Sequence, residues 1–343
     1  MEALYVLEPG SYLRKEGESL KIVREHSVVA DIPAQGLKRL TLVGYVSLSG
    51  AVLDFLIRHR IETVFMTPTG RFRARLMLDE HPHVARRQAQ YARLSDKGFC
   101  RRMAKTIVSG KLENQVSYLR RRARDYQIHE LQKIALRIRA LGRTLDAADD
   151  LEVVRGVEGY GTRLYFEAFS FLVRNSAFSF TGRSRRPPTD PVNAMLSFVY
   201  TLLTNEVLGA VKASGLDPYL GALHGVASGR PSLACDLVEE WRVLGDRLVL
   251  SLINRKYVTP DDFVVRSRSL SEEHLEKVRS VEMKPSALRA LIKTYENQMQ
   301  TRLTTPVTGD QRQFRWLIHE QVRRFARCLE EPETAYEPFA LER

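Results

Sequence analysis

The feature that most constrains this chain is a change in the spacing of its apolar residues near position 80. Before that point, apolar and polar residues alternate in short runs. Beyond it, apolar residues recur every three or four positions. A period of two belongs to strands and a period near 3.6 to helices. A chain that switches once between them is expected to be α+β. The expected division is a β-rich domain at residues 1–80 and an all-α domain at residues 81–343. The length of 343 residues suffices for two cores.

In the first part, residues 3–7, 12–15, 20–24, 28–32 and 40–43 read as strands. Glu16-Gly17-Glu18 forms a hairpin connection between two of them. Residues 47–60 break the pattern. Ser49 is placed to cap a helix with Val52, Leu53, Leu56 and Ile57 on its apolar side. Strands return at 63–66 and 72–76, on either side of a turn at Pro68-Thr69-Gly70. Asp79-Glu80-His81-Pro82 reads as the linker. Helices are expected at 84–109, 112–124 and 126–141, then at 191–211, 247–253, 275–281, 284–303 and 314–329.

The formal charge of +12 and the pI of about 9.7 call for a polyanionic partner, nucleic acid first. Much of the excess lies between Arg71 and Arg124, where Asp79, Glu80, Asp96 and Glu113 are the opposing acids. A solvated helix face and a phosphate-tracking groove both explain such a span. Cys100, Cys235 and Cys328 are scattered, so neither a zinc ribbon nor a disulfide framework is expected, and they read as reduced thiols. The segment MEALYVLEPGS lacks the apolar length of a signal peptide. No stretch reads as the roughly 18 apolar residues of a membrane span. The expected location is cytoplasmic, with no membrane partner.

Two clusters carry candidate chemistry. Residues 224–242 read HGVASGRPSLACDLVEEWR. A helix beginning near Ser232 places Asp236, Glu239 and Glu240 at three- and four-residue spacing, where they can share one face beside Leu233, Leu237 and Trp241. With His224 these acids suit a divalent metal. They also suit a solvated helix face whose acids favour the helix dipole. Glu158 stands in GVEGYG, ahead of the helix carrying Leu164, Phe166, Ala168 and Phe169. No strand-loop-helix unit surrounds these glycines, so a dinucleotide loop is rejected. Glu158 is either an ordinary helix-start acid or a site acid. Arg183, Arg185 and Arg186 precede Pro187-Pro188, as a phosphate-binding cluster or a basic surface loop.

Taken together, VEGYGTRLYF around Glu158, RSRRPPTDPVNAMLSFVYTLL at 183–203 and GLDPYLGALHG…GRPSLACDLVEEWR at 215–242 closely resemble the CRISPR adaptation integrases, the family of CRISPR-associated protein one. The order of Glu, then RRPP-x-D-x-x-N, then His, then D-L-x-E carries the resemblance. It covers the whole chain, and LTLVGYVSLSGAVLDFLIRHRIETVFMTPTGRFRARL is similar to that family's strand domain.

The resemblance implies a β-rich dimerisation domain and a helical catalytic domain. It implies metal ligands at Glu158, His224 and Glu239, with Asp236 a further catalytic acid. Mg²⁺ or Mn²⁺ is the implied cofactor. The implied reaction joins the 3′-hydroxyl of prespacer DNA to a CRISPR repeat by transesterification, with endonuclease cutting at the same site. Arg163, Arg183, Arg185, Arg186, Arg230 and Arg242 are expected to hold DNA phosphates or to orient the acids. The implied partners are double-stranded DNA, a second copy of the chain, and a dimer of CRISPR-associated protein two. Two readings compete: a basic DNA-binding scaffold whose acids only form salt bridges, and a DNA-repair nuclease without integration activity.

Overall fold

The computed structural model describes residues 2–76, 83–185, 187–271, 274–304, 310–331 and 333–341. The linker expected at residues 79–82, and with it the expected boundary at residue 80, lies outside the described residues.

The first part folds as β1 (Ala3–Val6), β2 (Tyr12–Glu16), β3 (Ser19–Arg24), β4 (Ser27–Pro33), β5 (Arg39–Val43), β6 (Ser47–Leu48), α1 (Gly50–Arg58), β7 (Glu62–Met66) and β8 (Phe72–Leu76). One sheet has the order β1-β5-β7-β8, with β8 alone antiparallel to its neighbour. The other has the order β4-β3-β2-β6. Alternation drives Leu13, Leu20 and Ile22 into one core with Leu4, Val6, Leu40 and Leu42. Ser49 caps α1 by accepting from the Val52 amide at 3.3 Å. The buried face of α1 is Val52, Phe55 and Leu56, while Leu53 and Ile57 are exposed. Phe55 fixes that face, because a residue three after Val52 lies over it.

The strand-rich region meets the helical region through apolar and ionic contacts. Val43, Val64 and Met66 belong to the larger, helical core. Beside them, Arg39 donates to Glu206 at 2.5 Å, and Arg315 donates to Glu206 at 3.0 Å and to Glu296 at 2.9 Å. Tyr5 donates to Glu296 at 2.6 Å. Burial opposes ionisation of Glu206, but Arg39 and Arg315 outweigh it and hold its carboxyl below the usual range.

The helical region comprises α2 (Val84–Ser95), α3 (Lys97–Tyr126), α4 (His129–Ala147), α5 (Leu151–Leu172), α6 (Pro191–Ala213), α7 (Ser232–Val238), a 3-10 turn (Glu239–Trp241) and α8 (Arg242–Asn254). Then come a hairpin of β9 (Phe263–Ser271) and β10 (His274–Met283), α9 (Pro285–Gln300), a short hairpin of β11 (Arg302–Thr304) and β12 (Gln311–Gln313), and α10 (Phe314–Glu330). A strand-rich region followed by a helical one is the expected architecture.

Three local expectations are corrected. The break expected between 109 and 112 is absent, and the chain turns instead at Asp96, which caps α3 by accepting from the Gly98 amide at 2.8 Å. Gly110 is a close-approach residue inside α3, since a Cβ there would stand 2.5 Å from Pro338. Residues 275–281 are strand, because β9 supplies a cross-strand ladder that pairs Val281 with Val265. A short apolar run cannot reveal such a distant partner. Finally, α6 is long and apolar enough to cross a membrane, against the expectation that no stretch is. Its side chains Met195, Phe198, Val199, Leu202 and Leu203 are spent on the core.

Candidate functional site

The site is organised on the buried face of α3. That face carries Ala104, Ile107, Val108, Tyr118 and Leu119 at helical spacing, but Lys111, Asn114 and Gln115 occupy its middle. Buried lysine is rare unless paired. Lys111 is 3% exposed and donates to both Glu158 and Glu239, to the latter at 2.6 Å.

Glu158 is not a helix-start acid. It sits in the second turn of α5, which begins at Leu151 behind the cap Asp150. The glycines around it are tolerated within the helix. Gly161 permits close packing, since a Cβ there would stand 2.5 Å from Leu112. This brings α5 against α3 and sets Glu158 beside Lys111. Thr162, one turn on, donates to the same Glu158 oxygen at 2.9 Å. The Glu158 side chain keeps 24% of its surface exposed, so the acid pair is open to solvent on its side.

Asp236, Glu239 and Glu240 do not share a face, because the chain tightens from α7 into the 3-10 turn at Glu239 and the spacing per turn changes. Each acid meets different partners. Asp236 is fully buried and accepts from the backbone amides of Ala222, Leu223 and His224 at 2.6, 2.9 and 2.9 Å. It also meets His224 Nδ1 at 2.7 Å. A carboxylate acceptor there puts the ring proton on Nδ1 and leaves the Nε2 lone pair free. Glu239 faces Lys111 and is held bidentately by Arg242, with both contacts at 2.8 Å. Burial opposes ionisation of Glu239, yet Arg242 and then Lys111 hold its carboxyl well below the usual range.

Glu240 points away from the other acids. It accepts from Gln321 at 2.7 Å, from Tyr336 at 2.7 Å and from the Phe339 amide at 2.6 Å. Burial outweighs these hydrogen bonds and pushes its carboxyl up to about 7. The segment from Tyr336 to Leu341 thereby covers the back of the site. Phe339 stacks on Trp241 at 3.9 Å, and Asn114 bridges Glu240 and Phe339 through their carbonyls.

The expected arginines divide. Arg242 orients Glu239 and lies over the Tyr200 ring at 4.7 Å. Arg183 is tied to α6 by Asn193 at 2.8 Å and Ser197 at 3.0 Å, and burial lowers its guanidinium to about 10. Arg230 bonds the Gly225 carbonyl of its own loop. Arg163 is exposed, 3.6 Å from Glu167. Arg185 is exposed, and Arg186 lies outside the described residues. Lys111 is the site residue that sequence reasoning missed. Its signal was a lysine on the apolar stripe of α3.

Two carboxylates and an imidazole nitrogen form a donor set that suits a hard divalent ion. Glu158 and Glu239 fit such an ion, since their oxygens already converge on one cationic position. Among the described residues, no three His, Cys, Asp or Glu side chains gather closely enough to hold a metal as they stand. The shared position belongs to the Lys111 ammonium.

The family model for CRISPR associated protein Cas1 matches residues 4–297. The chain is 35% identical over 346 residues to CRISPR-associated endonuclease Cas1 1 of Chlorobaculum tepidum, covering 99% of this chain and 98% of that protein. The chain belongs to the Cas1 family. Solved structures share this Cas1 fold at lower identity. A casposase bound to integration product superposes with a TM-score of 0.84 at 22% identity, over 100% of this chain and 96% of that one. A chain of a Cas6-RT-Cas1–Cas2 complex superposes with a TM-score of 0.83 at 21% identity. The match covers 99% of this Cas1 chain and 36% of that longer chain.

Proposed function

We propose that this chain is a divalent-metal-dependent DNA endonuclease and integrase that inserts prespacer DNA into a CRISPR repeat. The observation that carries the reading is the convergence of Glu158 and Glu239, from elements far apart in sequence, on one cationic position. Family membership supports it, as does the name of the Chlorobaculum relative, an endonuclease. The casposase with the same fold is bound to an integration product, which favours joining as well as cutting.

Glu158, Glu239 and His224 would hold Mg²⁺ or Mn²⁺. Bound there, the ion supplies Lewis-acid stabilisation of the charge that develops on a phosphodiester. The protein's own residues prepare that site. Asp236 holds the His224 ring through Nδ1, which leaves Nε2 as the acceptor. Arg242 locks the Glu239 carboxylate in one orientation. The reaction exchanges one phosphodiester for another. A 3′-hydroxyl oxygen bonds to phosphorus, the target strand's 3′-oxygen leaves, and the proton lost by the first is gained by the second.

Double-stranded DNA, a second copy of the chain and a dimer of the small CRISPR-associated protein two are the proposed partners. The Cas1–Cas2 complex among the structural relatives favours the last of these. For the second copy, β4 is an edge strand with Val28 and Val29 exposed, a surface suited to pairing. The scaffold reading draws on the same ion pairs, which tie Glu158 and Glu239 to Lys111 and Arg242.

One experiment separates these readings. Half-site joining of a duplex prespacer to a repeat-bearing plasmid is measured with the small partner protein, in Mn²⁺, Mg²⁺ or EDTA. Metal-dependent joining that disappears in Glu158→Ala and His224→Ala is expected. Cutting without joining would favour a repair nuclease. DNA binding with neither activity would leave the acids structural.

A further inference from the structure

We propose that Lys111 is a built-in counter-ion for the acid pair, displaced when a divalent ion binds, and that the displaced ammonium is received by a nucleic-acid phosphate. This rests on the metal-dependent reading above. It makes ion and DNA bind cooperatively at one site.

The charge balance leads to this. Glu158 and Glu239 contribute two negative charges, and Lys111 and Arg242 two positive ones, so the cluster is neutral. An ion added to it meets no net attraction, and its like charge repels the ammonium. It also needs carboxylate oxygens within about 2.0–2.6 Å. Lys111 holds one oxygen of each acid. Ion and ammonium cannot occupy the same position between the carboxylates.

The structure also shows which cation yields. Arg242 engages both oxygens of Glu239 and stacks on Tyr200, so its departure would break several contacts at once. Lys111 is a point charge on a flexible four-carbon stem, and its ammonium is held by the two acids alone among the described contacts. The exposed flank of Glu158 is the open side of the cluster. A phosphodiester approaching there brings the negative charge that a displaced ammonium requires. Without DNA, the ion must bury or expel an unpaired ammonium, so it binds weakly. With DNA, the ammonium is paired again, and each ligand strengthens the other by the same factor.

The test measures Mn²⁺ affinity of the full-length chain by electron paramagnetic resonance, with and without a short phosphorothioate duplex. In the unaltered chain the duplex is expected to raise Mn²⁺ affinity about tenfold or more. Lys111→Met should bind Mn²⁺ about tenfold more tightly than the unaltered chain without DNA, and the duplex should then add little. Lys111→Gln serves the same purpose if the Met variant does not fold, and Mn²⁺ should raise the melting temperature of either variant by more than that of the parent. A Lys111 variant that binds Mn²⁺ no more tightly than the parent overturns the inference. Glu158→Gln separates this failure from that of the metal reading. Loss of the ion in Glu158→Gln upholds the metal site whatever the Lys111 variants do, whereas undiminished binding there overturns both.

Discussion

The ring Nδ1 of His224 lies 2.7 Å from Oδ1 of Asp236, and the same carboxylate receives three backbone amides from the segment that carries the histidine. One acid therefore folds the loop and aims the ring. In Asp236→Asn, the carboxamide has one acceptor oxygen for these donors. Each orphaned donor costs about 1–3 kcal/mol. Loss of such outer support typically lowers metal affinity about 10–100-fold. Mn²⁺ titration and thermal melting of the variant are expected to show both effects.

A related prediction concerns two glycines of opposite character. A Cβ at Gly221 would stand 2.4 Å from the Asp236 carboxylate and 2.9 Å from the Ser232 backbone. Gly221→Ala should destabilise the chain by about 1–3 kcal/mol and impair DNA cutting. Gly142, inside α4, has open space around it. Gly142→Ala should stabilise by about 0.5–1 kcal/mol. Urea melts of both variants check the contrast.

At the junction of the two regions, Glu206 is the shared acceptor of Arg39 and Arg315. Glu206→Gln removes the shared carboxylate and leaves Arg39 with Glu62 and Arg315 with Glu296. Stability should fall by about 1.5–3 kcal/mol, the cost of losing hydrogen bonds to a charged group while each arginine keeps a second acid. Equilibrium denaturation reads this directly.

Stability should also carry a pH signature from Asp246. Tyr200 donates to it at 2.5 Å, but burial pushes its carboxyl up from 3.8 to about 6. Folding favours the protonated form, so its stabilising contribution is full below the unfolded value and is lost as pH rises through about 6. The loss amounts to roughly 3 kcal/mol. Asp246→Asn removes the titration. Its urea midpoint should fall less than that of the parent between about pH 4 and pH 6.

Much of the architecture was legible because local chemistry wrote it. The alternation through β1–β5 and the Ser49 cap of α1 need no distant partner to be read. The site was legible by residue type but not by arrangement. Glu158, His224, Asp236 and Glu239 could be named, yet the separation of Asp236, Glu239 and Glu240 depends on a 3-10 turn that spacing alone does not announce. The strand β10 depended on β9, and the place of Gly110 inside α3 on close contact with a proline more than two hundred residues away. Lys111 was visible as a break in an apolar stripe, but its meaning came only with two acids from other helices.

The docking of Tyr336 and Phe339 onto Glu240 and Trp241 has a consequence in the time order of synthesis. A ribosome makes the acids and their lysine long before it makes the segment that covers the back of their turn. Until residues 336–341 emerge, Glu240 is without two of its donors and Trp241 without its stacking partner. The growing chain can therefore fold its strand-rich region early, but it cannot finish the proposed metal site until the residues after its last helix have left the exit tunnel. A chain abandoned before Tyr336 carries every proposed ligand and lacks the packing that sets their turn.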